Sequence, residues 1–246
     1  METKFIDAEE LRSHLSRGVP VHGRLLRGIS FGTLVEECPE ADSVLLESCR
    51  LQDCDFNDCR VGVLDLANCY LHAASLQNAR ADETRFADCG MQDCKFANAK
   101  FRNARFERCD ASNASFFKAD LSGASFTDCK MLGTDFSAAR IPKIELMRCN
   151  FQMANLKLHD FRKARFREID FGEAELTECN FTNAVFENCV LGTADITNAV
   201  FRNADLTTCN LTGFDVVACA SLENARIAYS QTPQLLARFG LSVVEG

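Results

Sequence analysis

The sequence lacks the residue combinations on which most enzyme and metal sites depend. It has only four histidines, no Cys-x-x-Cys pair and no glycine-rich phosphate-binding loop. It offers no Ser-His-Asp or Cys-His set, and its carboxylates are spread along the chain rather than gathered where a cleft could shift their pKa. We therefore predict that the protein is not an enzyme and that it holds no metal and no cofactor.

Long hydrophobic runs and an excess of basic residues are also missing. No apolar stretch approaches the length of a membrane span, and the first residues, METKFIDAEELRSHLSR, are charged throughout, unlike a secretory signal. The net charge of -8 disfavours nonspecific phosphate binding and favours a partner with a basic groove. We expect a cytoplasmic protein with no membrane partner and no direct contact to nucleic acid.

What the sequence does contain is a strict repeat of five residues. From Leu46 to Val216, all thirty-five positions spaced by five are apolar, and fifteen of them are Phe. The residue two positions before each is nearly always small, usually Ala or Cys, whereas the other three positions are mostly polar. A helix repeats its buried face near 3.6 residues and a strand near 2, so neither explains this period. The pattern indicates a solenoid whose short sides each place one large and one small residue inside.

The cysteines indicate how many sides make one turn. Eight of them are spaced by multiples of twenty residues, with Ile169 interrupting the series: Cys49, Cys69, Cys89, Cys109, Cys129, Cys149, Cys189 and Cys209. Twenty residues correspond to four sides, and successive turns should stack at about 4.8 Å. That spacing would permit disulfides. We favour free thiols, because all cysteines but Cys38 occupy the small inward position and a reducing cytosol keeps thiols reduced.

The repeat units resemble those of a known family. Ala119-Asp-Leu-Ser-Gly, Ala194-Asp-Ile-Thr-Asn and Ala204-Asp-Leu-Thr-Thr are similar to the A(D/N)LXX unit of pentapeptide-repeat proteins. The resemblance covers roughly seven tenths of the chain, and a matching repeat period of this kind is typical of one fold. It implies an all-β architecture, a right-handed quadrilateral β-helix with short capping helices.

The N-terminal part has the sequence of a cap and an irregular start. Residues 1–18 predict a capping helix, with Asp7 as its N-cap and Gly18 at its end. Residues 19–43 predict an imperfect first turn followed by an acidic loop at 36–42.

The regular β-helix is predicted for residues 44–230, with a slip of one residue in phase after Val216. Residues 231–246 predict a second helix, with Thr232 as N-cap, and then a short strand. This C-terminal segment has more apolar side chains than one cap needs: Leu235, Leu236, Phe239, Leu241, Val243 and Val244. A simple cap is one interpretation. We favour a homodimer interface, because such apolar patches usually have partners and because the segment resembles the C-terminal module of the quinolone-resistance pentapeptide proteins, which dimerise there.

The outward charges, assigned to four sides by position, predict three acidic sides and one basic side. The basic side carries Lys100, Arg102, Arg140, Lys143, Arg162, Lys163 and Arg202. Acidic residues gather in two groups: Asp53, Asp55, Asp58 and Asp65, and then Glu168, Asp170, Glu173, Glu175 and Glu178. For any single residue a solvated surface is a sufficient explanation. Taken together, regularly spaced negative charges on a two-fold rod resemble duplex DNA in shape and field.

Two further resemblances bear on function. Residues 126–136, Phe-Thr-Asp-Cys-Lys-Met-Leu-Gly-Thr-Asp-Phe, are similar to a segment of the albicidin-resistance protein, and the C-terminal segment resembles the quinolone-resistance group. These resemblances imply a DNA mimic that binds a type II topoisomerase, DNA gyrase or topoisomerase IV, and protects it from poisons, giving antibiotic resistance or self-immunity. The two acidic groups are the candidate contacts.

The chain departs from the quinolone-resistance pattern because it has no projecting loops within the repeat. Contact with the topoisomerase would then be made by the side faces of the solenoid, by the surface of the dimer, by the 36–42 loop or by exposed apolar residues such as Phe117, Leu132 and Met153. The alternative function is a non-enzymatic scaffold or adaptor that uses the faces of the solenoid to dock other proteins.

Overall fold

The computed structural model describes residues 4–82, 84–237 and 239–244, and divides into two compact units, the first ending at Ile144 and the second beginning at Glu145. The first unit contains β1 (Lys4–Phe5), α1 (Ala8–Ser16), β2 (Val21–His22), β3 (Arg24–Arg27), α2 (Phe31–Glu36), β4 (Ser43–Glu47), β5 (Arg50–Gln52), β6 (Val63–Ala67), β7 (Arg85–Ala87), β8 (Arg105–Glu107) and β9 (Ser125–Thr127). The second contains β10 (Glu145–Met147), β11 (Arg165–Arg167), β12 (Val185–Glu187), a 3-10 helix (Tyr229–Gln231) and α3 (Thr232–Ala237).

Each unit is a parallel β-solenoid in which residues twenty positions apart are neighbours. In the first unit Phe86 pairs with Phe106, and Phe106 with Phe126. In the second unit Phe166 pairs with Phe186. The other three sides of the turn carry single parallel bridges with the same offset: Gly90 to Asp110, Lys95 to Ser115 and Lys100 to Asp120 in the first unit, and Asp170 to Val190, Glu175 to Asp195 and Asn180 to Val200 in the second. The predicted all-β solenoid with four sides per turn is therefore confirmed.

Most sides of the solenoid end at a residue with a left-handed backbone conformation. The residue two positions after the central apolar residue commonly has a positive φ, such as 58° at Asn98 and 57° at Asn103. Asn and Asp tolerate this conformation better than most residues. The amide of Asn103 also donates to the carbonyl of Ser122 on the next turn, 2.9 Å away. We call these positive-φ positions the corners of the solenoid.

The large inward residues form the core. Every central residue from Leu46 to Leu211 is buried. Phe106 stacks on Phe86 and Phe126, with ring centroids 5.0 and 4.4 Å away, and meets Phe96 and Phe116 edge to face. Stacked and edge-to-face rings add to the stabilisation that burial provides.

The small inward positions hold cysteine side chains as buried hydrogen-bond donors. All fourteen cysteines are free thiols, and all but Cys219 are buried. The Sγ of Cys109 donates to the carbonyls of Phe86 and Glu107, each 3.4 Å away. Burial raises the pKa of Cys94 to about 12. Apart from Cys38, these thiols occupy the small inward positions that the sequence predicts.

The N-terminal cap has the predicted N-cap but two unpredicted elements. Asp7 accepts a hydrogen bond from the amide of Glu10, 2.8 Å away, at the start of α1. Strand β1 precedes this helix and pairs in parallel with β3. Helix α2 replaces a side of the irregular first turn, and a Cβ at Gly32 would lie 2.1 Å from the carbonyl oxygen of Asn57. Only glycine allows that close approach, and the apolar period at Phe31 conceals the helix in the sequence.

The irregular start has a measurable effect on register. Val21 pairs with Leu46 and Leu25 with Arg50, an offset of twenty-five instead of twenty. Helix α2 and the segment after it account for the five additional residues.

At the C-terminal end of the second unit, Val200 is bridged to Ser221 and Asp205 to Arg226, an offset of twenty-one. The predicted slip of one residue after Val216 is therefore confirmed.

Two predictions for the C-terminal segment are wrong. Thr232 is the first residue of α3 and not a cap outside it, because the 3-10 helix Tyr229–Gln231 leads directly into that helix. Residues 241–244 form no strand in the part of the chain that the structure describes. A strand needs a neighbouring backbone to pair with, and residues 241–244 have none among the described residues of their unit.

Candidate functional site

Four of the predicted acidic residues lie in the first unit: Asp53, Asp55, Asp58 and Asp65. Asp55 belongs to a turn, since its Oδ1 accepts hydrogen bonds from the amide of Asn57 and the hydroxyl of Ser30. Asp65 lies on β6, in a different ladder, where Arg85 is 3.6 Å away and burial raises the pKa of its carboxyl. The structure therefore brings Asp53, Asp55 and Asp58 together and leaves Asp65 on another side of the solenoid.

The 36–42 segment borders the same region. Together with α2 it lines a cavity of about 420 Å³ whose charged residues are Glu36, Asp42, Asp58 and Arg60. The Oδ1 of Asp42 accepts a hydrogen bond from the amide of Gly62, 2.9 Å away. The predicted acidic loop is thus attached to the solenoid by one of its own carboxylates.

The other five predicted acidic residues lie in the second unit: Glu168, Asp170, Glu173, Glu175 and Glu178. Asp170 accepts hydrogen bonds from the amide of Gly172 and the side chain of Gln152, both at 2.8 Å. Glu175 forms an ion pair with Lys157 at 3.5 Å. Neither of these carboxylates is free for a partner without losing an internal contact.

Glu168, Glu173 and Glu178 are different. They occupy three successive corners of one turn, with φ between 54° and 57°, and all three are exposed. Among the described residues, none of the three forms an ion pair. This set, which we call the corner glutamates, is a part of the predicted acidic surface that is free to meet a basic partner.

The basic side is largely neutralised by ion pairs between neighbouring residues. In the first unit Arg102 lies 3.2 Å from Asp82 and Arg140 lies 3.7 Å from Asp120. In the second, Arg162 pairs with Asp160 and Arg202 with Glu223. Lys100, Lys143 and Lys163 are the members of the predicted basic set without an ion pair among the residues described. Adding up the formal charges assigned to this side from the sequence therefore overestimates its positive electrostatic field.

Large apolar side chains are also exposed. Phe117, Leu132 and Met153 are exposed, as the sequence predicts. Leu158, which was not among the predicted exposed residues, is 67% exposed. Its signal in the sequence was a leucine at a corner position where asparagine and aspartate are usual. Met153 and Leu158 occupy consecutive corners of the second unit, with φ of 58° and 66°.

The C-terminal candidates are mostly uncovered within the single chain. Leu235 is buried against its own unit, whereas Leu236 and Val243 are partly exposed and Phe239, Leu241 and Val244 are exposed. This set, which we call the C-terminal apolar patch, is available for contact with another chain.

The described residues contain neither a cluster of metal-binding side chains nor a helix suited to span a membrane. In residues 4–82, 84–237 and 239–244, no group of three or more His, Cys, Asp or Glu side chains is arranged to hold a metal ion. No helix in that part of the chain is both long and apolar enough to cross a bilayer.

The five-residue unit, the four-sided parallel ladders and the convex charged surface define the class of β-solenoid repeat proteins. The sequence pattern described as a pentapeptide repeat region matches residues 99–176, and that described as pentapeptide repeats in eight copies matches residues 65–103 and 174–213. The chain belongs to the pentapeptide-repeat family.

Solved structures with the same fold include QnrB1, a plasmid-mediated fluoroquinolone resistance protein. The full-length QnrB1 structure is 20% identical in sequence, with a TM-score of 0.63, and the match covers 90% of this chain and 100% of that one. A trypsin-treated QnrB1 variant is 21% identical, with a TM-score of 0.64 and coverage of 91% and 99%. No curated protein sequence matches the chain significantly. At this identity the likeness establishes the fold.

Proposed function

We propose that this protein binds a type II topoisomerase, DNA gyrase or topoisomerase IV, as a mimic of duplex DNA and protects that enzyme from poisons. The observation that carries the proposal is the set of corner glutamates, three exposed carboxylates on consecutive corners of one turn that form no ion pair with any described residue. Support also comes from the shared fold with QnrB1, a protein described as conferring fluoroquinolone resistance.

The physical basis of the proposal is complementarity of charge. A protein groove that binds DNA is lined by Lys and Arg side chains that neutralise phosphates. The corner glutamates offer negative charge to such a groove without first breaking an internal ion pair. Their backbone is fixed by hydrogen bonds between turns, such as the one from the amide of Glu178 to the carbonyl of Thr197, 2.9 Å away. Little backbone conformational entropy is then lost on binding.

A homodimer is part of this proposal. The C-terminal apolar patch would form the seam between two copies, and a closed two-fold arrangement is the commonest one for homo-oligomers. Two copies would present two sets of corner glutamates to the two-fold symmetric topoisomerase. We place this function in the cytoplasm, where gyrase acts on DNA.

The test is a supercoiling assay with purified DNA gyrase, a cleavage-stabilising poison and increasing concentrations of this protein. The proposal expects supercoiling to recover as the protein is added. The triple variant Glu168→Gln, Glu173→Gln, Glu178→Gln should lose most of this effect. No recovery at any concentration would overturn the proposal.

A matched control separates these positions from net charge. Glu107, Glu187 and Glu223 each form an ion pair with an arginine. Replacing these three with glutamine changes the net charge by the same amount but leaves the corner glutamates in place. Equal loss of protection in both triple variants would argue against a specific role for the corner glutamates.

A further inference from the structure

Two consecutive corners of the second unit carry large apolar side chains. Met153 has a φ of 58° and is 56% exposed, and Leu158 has a φ of 66° and is 67% exposed. The side of the solenoid formed by Ala154–Leu158 begins directly after Met153 and ends at Leu158, and its central residue, Leu156, is buried. The two apolar side chains therefore flank one face of the solenoid.

Both features are unfavourable for an isolated solenoid. A positive φ is strained for residues other than glycine, least so for Asn and Asp, and an exposed apolar side chain gains nothing from burial. The other non-glycine corners with positive φ among the described residues are polar, charged or alanine. In the same unit, Asn183, Asn188, Asn198 and Asn203 occupy the equivalent position. A local departure from such a strict pattern is typical of a functional position.

The next turn places carboxylates beside these two side chains. The amide of Met153 donates to the carbonyl of Gly172, directly before Glu173. The amide of Leu158 likewise donates to Thr177, directly before Glu178. One face of the second unit therefore has two apolar corners on one turn and two corner glutamates on the next.

We propose that Met153 and Leu158 are the apolar anchors of the topoisomerase-binding surface, with Glu173 and Glu178 as its charged border. This inference rests on the proposed function. The complementary site on the enzyme would be a pair of apolar pockets next to Lys or Arg side chains. Buried apolar anchors with a polar border are the usual anatomy of a binding hot spot.

The charges argue against a second copy of this chain as the occupant. In a two-fold contact the same patch meets itself. A two-fold contact centred on this patch would gather Glu173 and Glu178 of both copies, four carboxylates, in one interface, and like charges held close together are destabilising. A basic border on a different protein removes this repulsion.

The experiment uses the double variant Met153→Asn, Leu158→Asn and measures its Kd for the gyrase holoenzyme. Because asparagine is well suited to a positive φ, this variant should melt at or above the temperature of the unmodified protein. Its Kd should nevertheless rise by about tenfold or more. A change that stabilises the fold and weakens binding cannot be attributed to misfolding.

The matched control is Ala73→Asn, Ala138→Asn. Both alanines are exposed corners of the first unit, with φ of 58° and 55°. This control adds the same residue type to the same backbone conformation, and its Kd should not change.

Three outcomes would overturn the inference, each in a different way. An unchanged Kd for the Met153/Leu158 variant, while the unmodified protein binds gyrase, would remove the anchor role and leave the proposed function standing. Absence of binding by the unmodified protein would remove the proposed function and the inference with it. A lower sedimentation mass of the variant would assign the surface to self-association.

Discussion

The side-chain Nε2 of Gln231 donates a hydrogen bond to the carbonyl oxygen of Cys209, 2.7 Å away. In the preceding turn the carbonyl of Cys189 accepts instead from a backbone amide, that of Asn210, at 2.8 Å. The side-chain amide of Gln231 thus donates the hydrogen bond that a backbone amide of a further turn would donate. The same Nε2 donates to Leu206, and the Oε1 accepts from the amide of Ala228.

We predict that Gln231→Met destabilises the protein by about 1 to 3 kcal/mol, because buried carbonyls lose their donor while the volume of the side chain is kept. The measurement is the melting temperature by circular dichroism. Gln234→Met, on the exposed part of α3, is the control. If the two variants melt at the same temperature, Gln231 does not close the end of the solenoid.

We predict that Phe106→Ala destabilises the protein by about 3 to 5 kcal/mol, the range for emptying a large core site. Phe106 is fully buried between Phe86 and Phe126, so the cavity would interrupt the ladder of stacked rings. Phe117→Ala is the control, because Phe117 is 37% exposed and should cost far less. The unfolding midpoint in denaturant measures both. Similar midpoints for the two variants would show that Phe106 is not a core residue.

The interior of this fold could be predicted from the sequence because each buried position has a simple chemical requirement that repeats every five residues. Leu46, Phe106 and Leu211 meet that requirement independently of any distant residue. The five-residue period does not reveal the backbone structure everywhere. In α2, Phe31 is buried at a position that fits the period although its backbone is helical.

The surface was less predictable because its properties depend on pairs of residues on different turns. Arg108 and Asp88 are twenty positions apart and form two hydrogen bonds, at 2.6 and 2.7 Å. Such pairs cancel charges that a count along the sequence treats as free. The corner glutamates could be separated from Asp170 and Glu175 only after these contacts were known.

We predict that the cysteines of the native protein react slowly with a thiol reagent such as 5,5′-dithiobis(2-nitrobenzoic acid) at pH 8. All of them but Cys219 are buried, so the reagent has little access to the sulfur atoms. The thiolate is also the reactive form, and burial raises the pKa of Cys94 and Cys179 to about 12. At pH 8, about one in ten thousand of such thiols is ionised. The variant Phe117→Cys, which adds an exposed thiol, provides the fast reference.

In denaturant all fourteen cysteines should react, because unfolding exposes the buried thiols to the reagent. The reagent's absorbance change counts them directly. Rapid reaction of several thiols in the folded protein would contradict their placement inside the solenoid.

We predict that Leu236→Asp together with Phe239→Asp converts a dimer into a monomer. Phe239 is 53% exposed and Leu236 is partly exposed in the single chain, so the charges would have little effect on the folded monomer but would have to be buried in a dimer seam. Sedimentation equilibrium measures the mass. Val217→Asp introduces a single aspartate at an exposed residue elsewhere in the second unit and should leave the mass at that of two chains. If both variants sediment like the unmodified protein, the C-terminal apolar patch is not the dimer seam. The two sets of corner glutamates would then have to be presented by some other arrangement of chains.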